Sequence, residues 1–164
     1  MKSSEGRLGR VFVLRLEDGD VIPDCIERFA SEHAVEEGFC ALLGGVGGGR
    51  LVVGPEDRDA EPVVPMVEVL THVHEAVAFG TIFPGKRGVP TLHMHAALGR
   101  ENHALTGCVR KGVEVWKIAE VVLLEIRGSG LKRRVDPRTG FEVLSADPEA
   151  VEGICKADFI NMVT

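Results

Sequence analysis

The chain has 164 residues, 45% of them hydrophobic and 27% charged, with a formal net charge of -6 at neutral pH. This length and balance fit one globular domain with a sizeable core. The acidic surplus weighs against a nucleic-acid binder, which draws affinity from neutralising phosphates, and no apolar run is long enough to span a membrane.

The opening "MKSSEGRLGR" lacks the apolar stretch of a secretory signal, so a cytoplasmic protein is expected. "RVFVLRLEDGD" alternates as a strand. Phe12, Leu14 and Leu16 lie on one face, Val11, Val13 and Arg15 on the other, and Asp18-Gly19 supplies the turn. "IPDCIERFASEHAVEEG" predicts a helix, with Pro23 in its first turn, Asp24 and Glu27 near its N-terminus and Gly38 as its stop. His33 falls on its surface or boundary.

"FCALLGGVGGGRLVVG" reads as a buried strand, a glycine cluster and a second strand. The glycines lack the context of a phosphate-binding fingerprint, so tight turning or close backbone approach explains them better. "PEDRDAEPVVP" is a polar loop. Strand-like runs follow: "MVEVLTHVHEAVAFGTIF", a turn at "PGKRGVP", "TLHMHAALG", a turn at "REN", "HALTGCV" and the long "VEVWKIAEVVLLEI". "RVDPRTGFEVL" predicts a terminal hairpin turning at Asp136–Gly140, and the last segment is a short helix or a frayed tail. The basic runs "LKRR" (Lys132, Arg133, Arg134) and "GKR" at 85–87 are expected to be solvated loop faces. One early helix and many adjacent strands indicate an α+β fold with a largely antiparallel sheet, in a single domain over residues 1–164.

The four cysteines, Cys25, Cys40, Cys108 and Cys155, are widely and irregularly spaced, which argues against a disulfide scaffold or a zinc knuckle. Cys25 and Cys40 read as buried thiols packed as small apolar groups. The chemistry concentrates in "PTLHMHAALGRENHALTGC". Side chains alternate along a strand, so Leu92, Met94, Ala96 and Leu98 form a core face, and Thr91, His93, His95 and Ala97 share the other. The two imidazoles then sit on the order of 7 Å apart at Cα, a spacing at which both can hold one metal ion. A lone strand histidine is ordinarily a structural residue; a pair on one face raises the case for a ligand set. A turn centred between Glu101 and Asn102 pairs Cys108 with His95, while a slip of one residue would send the thiol to the other face. His93, His95 and Cys108 would suit zinc with one position open for water or a small-molecule ligand. His103 falls at the turn.

A second pair, His72 and His74 in "THVHEAV", is also expected to share a face. A hairpin centred near Lys86 places Val77, not His74, opposite His95. His74 and Glu75 are therefore second-rank candidates, as ligand and acid/base respectively, reaching the site only through a bulge or a neighbouring subunit.

The motifs "RLEDGDVIPDCIERFASEHAVEEGFCALLGGVGGGRL", "HEAVAFGTIF", "PTLHMHAALGR" and "TGCVRKGVEVWKIAEVVLLEI" together resemble the PPC domain, also called DUF296, over a core of about residues 8–128; residues 129–164 form a C-terminal hairpin and tail beyond it. The resemblance implies an antiparallel sheet flanked by helices and a homotrimer. Single-domain prokaryotic members carry the label of candidate DNA-binding proteins. In the plant members an AT-hook reads the DNA and the PPC domain mediates association; this chain has no AT-hook. Many prokaryotic members carry L-H-x-H followed by G-G-H. Here the first motif stands at Leu92–His95, whereas the second reads Thr106-Gly107-Cys108, so a thiolate takes the histidine's place. The PPC fold is also similar to that of acetolactate decarboxylase, a zinc enzyme with an H-x-H pair. By that analogy an open zinc position could polarise a carbonyl, which leaves open whether this chain is an enzyme.

Overall fold

The computed structural model describes residues 2–110 and 112–146. The expected helix or tail after Ala146, and Cys155 with it, lie outside the described residues. In chain order the elements are β1 (Arg7–Glu17), β2 (Val21–Ile22), α1 (Asp24–Glu32), β3 (Glu37–Pro55), β4 (Pro65–Leu70), β5 (His74–Pro84), a 3-10 turn (Lys86–Gly88), β6 (Pro90–Arg100), β7 (His103–Val109), β8 (Val113–Arg127), β9 (Leu131–Val135) and β10 (Glu142–Ala146).

An eight-stranded sheet runs β1-β8-β3-β5-β6-β7, with β2 on β8 and β4 on β3, and β9 and β10 form a separate hairpin. Every pairing is antiparallel. The far end of β3 also pairs with β7, Leu51 with Val109 and Val52 with Cys108, which closes β3, β5, β6 and β7 into a ring. The core lies inside this curl, where Leu42, Ala78, Met94, Ala96, Val121 and Leu123 are buried from successive strands. Ile26 and Ala30 of α1 complete it, and the Glu27 carboxylate accepts a 2.8 Å hydrogen bond from the Leu92 amide, tying the helix to β6.

Four sequence expectations change here. The flanking helices reduce, among the described residues, to α1 alone. That helix stops at Glu32 instead of running to Gly38: Ala34 adopts a left-handed φ of 51°, and the Val35 amide bonds back to the Ala30 carbonyl at 2.8 Å, the closure usually given to glycine. The glycine cluster does not split two strands but sits within the single β3, which carries register shifts at Gly44/Gly45 and Val46/Gly48. Gly44 has a φ of 149°, and a Cβ there would stand 2.5 Å from the Ala119 Cα, so close approach to β8 is its requirement. The run from Met66 to Phe83 breaks at Thr71–Val73, so His72 leaves the strand while His74 opens β5. Those two histidines therefore do not share a face.

The outer face of the sheet carries an apolar strip that is uncovered in the single chain. One row crosses it strand by strand: Val13, Val122, Ala41, Phe79, His95 and Cys108 are successive register partners. Val13 and Phe79 are 76% and 57% exposed, and Leu43 and Val77 of the neighbouring row are exposed too.

Candidate metal centre

The β6–β7 hairpin turns over Glu101 and Asn102, with Arg100 paired to His103 and His95 to Cys108. Glu101 takes the positive φ of 55° that so short a turn demands. This is the expected register, and it puts the thiol on the histidine face. His93 and His95 are exposed, Cys108 is buried, and His103 stands exposed at the turn.

The ligand atoms of His93, His95 and Cys108 all lie within 4.8 Å of one another. The His93 and His95 Nε2 atoms are 3.2 Å apart, with ring planes inclined by 75°. Two nitrogens bound tetrahedrally to zinc at about 2.0–2.1 Å stand about 3.3 Å apart, and a nitrogen and a sulfur about 3.6 Å apart. The imidazole pair already has that spacing, and the thiol sulfur lies within 4.8 Å of a ring nitrogen of each.

The surroundings act on the two kinds of ligand in opposite directions. Partial desolvation of its ring, helped by Arg133, His95 and Arg110, lowers His93 from the ordinary imidazole value, which favours the neutral ring that binds metal. Burial pushes the Cys108 thiol up, but the positive charges of Arg110 and Arg133 oppose that rise. Cys40 is pushed up by burial to about 12 without a cation to offset it, and Cys25 to about 11. These two are the packed thiols expected from sequence, Cys25 with Arg28 as its one cation, whereas Cys108 has two guanidinium groups beside it.

Within the single chain His74 and Glu75 do not join the cluster. The β5–β6 turn centres on Arg87, not Lys86, so Phe79 stands opposite His95 where Val77 was expected, and Glu75 pairs with Gly99, four residues beyond His95 on β6. The His74 ring instead bonds the His72 carbonyl oxygen through Nδ1 at 2.7 Å.

Two site residues escaped the sequence reading. Arg133 is not on a solvated loop; it is buried on β9. Its Nη2 donates to the Thr81 carbonyl at 2.9 Å and to Thr81 Oγ1 at 3.0 Å, and its Nε donates to the Thr91 carbonyl at 3.3 Å. Because Thr81 pairs with His93, this guanidinium fastens the β9–β10 hairpin beside the histidines. Arg110 follows Cys108 by two residues, the spacing that keeps both on one side of an extended chain. The expected turn of that terminal hairpin is present, with the Gly140 amide bonded to the Asp136 carbonyl at 2.7 Å. A cavity of about 370 Å³ opens next to His93 between Arg110, Arg133, Phe141 and Glu142.

An antiparallel sheet curled into a ring defines the architecture. The model of the Plants and Prokaryotes Conserved (PCC) domain matches residues 3–127, and the chain belongs to that family, the PPC domain of the sequence resemblance. A metal-containing protein from Archaeoglobus fulgidus superposes with a TM-score of 0.79 at 24% identity, over 88% of this chain and 99% of that one. A plant- and prokaryote-conserved protein from Pyrococcus horikoshii gives 0.76 at 19% identity, over 90% and 99%. A protein from Ralstonia eutropha JMP134 named as a candidate DNA-binding protein gives 0.64 at 17% identity, over 82% and 90%. At these identities the likeness is one of fold. No relative among curated proteins matches the sequence significantly. Among the described residues no helix is long and apolar enough to cross a membrane.

Proposed function

We propose that this protein binds one zinc ion per chain through His93 Nε2, His95 Nε2 and Cys108 Sγ, and that it works as a homotrimer. The observation that carries the metal reading is the convergence of three ligand atoms within 4.8 Å on the outer face of one hairpin. The metal-containing relative from Archaeoglobus fulgidus supports it. Zinc suits a mixed nitrogen and thiolate set, and three protein ligands leave a position open for water or a small molecule. A metal so held would act as a Lewis acid on a bound carbonyl, as the acetolactate decarboxylase analogy implies.

Self-association is supported by the apolar row that runs across the sheet to His95 and Cys108. Uncovered, it is the kind of continuous apolar surface that monomers seldom keep. A second copy seated there would bring a subunit boundary up to the metal centre.

The DNA reading has support in the names of similar structures, but the physical case is weaker. The net charge is -6, and Arg133 of the basic run is turned inward onto the Thr81 and Thr91 carbonyls, unable to meet a phosphate.

Zinc titration of metal-stripped protein tests the proposal. One equivalent should bind, and His93→Ala, His95→Ala and Cys108→Ala should each abolish tight binding. A folded protein that resists zinc loading overturns it. A salt-sensitive duplex complex weakened by changes at Lys132 and Arg134 would favour DNA instead.

A further inference from the structure

The cavity beside the metal centre has a chemical character of its own. Its walls join the imidazole of His93 to Arg110 and Arg133 on one side and to Phe141 on the other, in about 370 Å³. That volume lies in the lower part of the range used for small-molecule sites. Two guanidinium groups line it beside one carboxylate, Glu142. Glu142 and Glu27 both act on Arg133, whose donors are held by Thr81 and Thr91. Arg133 is therefore a fixed part of the wall.

Arg110 differs. It is exposed, its backbone amide is anchored to the Arg50 carbonyl at 3.2 Å, and among the described residues it forms no ion pair with a carboxylate. It stands close enough to act on both His93 and Cys108. A guanidinium has five N–H donors in a planar fork, enough to face the thiolate and still hold two oxygens of a ligand.

We propose that this cavity is a subsite for a small carboxylate, held by the Arg110 fork at one end and turned towards the His93–His95–Cys108 centre at the other. Phe141 and Leu92 supply the apolar wall for its carbon skeleton. A carboxylate presents two coplanar oxygens to the Arg110 fork, and a two-ended ligand such as oxalate keeps a second oxygen pair for the metal centre, which the four oxygens of phosphate, all on one atom, do not offer. The assignment rests on the metal reading of the same centre and names the class of ligand that goes with it.

The test loads the protein with cobalt(II), whose visible spectrum reports on its ligands, measures cobalt content for every sample, and titrates with oxalate or inorganic phosphate. Oxalate should change the spectrum of the loaded protein and bind it more tightly than phosphate. Arg110→Gln should weaken oxalate by about 10- to 100-fold, the loss of a charge-assisted bidentate contact. Arg110→Lys, which keeps the charge and loses the fork, should fall between. Equal oxalate affinity in all three proteins overturns the inference, because the metal alone would then be the binder. Arg110-dependent binding that favours phosphate overturns the carboxylate assignment. Protein that takes up no cobalt overturns the metal reading first, and is told apart from the other outcomes by its cobalt content.

Discussion

Replacing Phe79 with glutamate should break the proposed homotrimer while leaving the subunit folded. Phe79 is 57% exposed in the single chain, at the centre of the apolar row between Ala41 and His95. A phenylalanine side chain presents about 150–250 Å², so on the order of 85–140 Å² of ring remains for a neighbour to cover, about 2–3.5 kcal/mol per subunit at about 25 cal/mol per Å². Over three copies that is about 6–10 kcal/mol, before the cost of placing three carboxylates in an apolar interface. The inner face of β5 keeps its buried Ala76, Ala78 and Ile82, so the fold itself should survive. Light scattering coupled to size exclusion gives the mass, and circular dichroism confirms folding. Wild-type protein should run at three times the chain mass, and Phe79→Glu at the mass of one chain. A folded variant that keeps the full wild-type mass, or a wild type that is monomeric at micromolar concentration, refutes the reasoning.

Cys108→His should retain zinc, because three imidazoles are also a good ligand set, whereas Cys108→Ala should lose it. In the wild type the Cys108 thiol sits above its ordinary pKa range and must shed a proton to bind, so zinc affinity should rise about tenfold per pH unit near neutrality. In Cys108→His that slope should vanish above pH 7, and chelator competition across pH measures both. Glu125 is held down to about 2, chiefly by its hydrogen bonds from the Arg10 side chain, with Arg127 at 3.0 Å beside it. Its contribution to stability is therefore full above the unfolded carboxylate value of about 4.3 and lost as pH falls from there towards 2. Glu125→Gln should cost about 1.5–3 kcal/mol at neutral pH and flatten melting temperature against pH within that window. Gly44→Ala should cost about 2–4 kcal/mol in denaturant unfolding, from a Cβ driven into Ala119 and a backbone that alanine resists.

The clustering of His93, His95 and Cys108 was readable because it depends on local rules. Alternation puts His93 and His95 on one face, and a two-residue turn at Glu101–Asn102 leaves little freedom in where Cys108 lands. The β5–β6 register was harder. "PGKRGVP" allows more than one turn centre, and the 3-10 turn settled on Arg87, moving Phe79 into the place given to Val77. The end of α1 was misplaced because the chain closes the helix with Ala34, where the sequence signal sought is glycine. Arg133 was out of reach for a different reason. In "LKRR" nothing local says which of three cations turns inward; that is decided by the docking of β9 against the Thr81 and Thr91 carbonyls. Arg110 was within reach, since it repeats the two-residue spacing from Cys108 that already linked His93 to His95.

The most direct test of the metal centre is X-ray absorption on the purified protein, with zinc quantified by elemental analysis. One zinc per chain is expected, bound by two nitrogens at about 2.0–2.1 Å and one sulfur at about 2.3 Å. Protein without zinc that cannot be loaded, or a zinc shell that contains no sulfur, would contradict it.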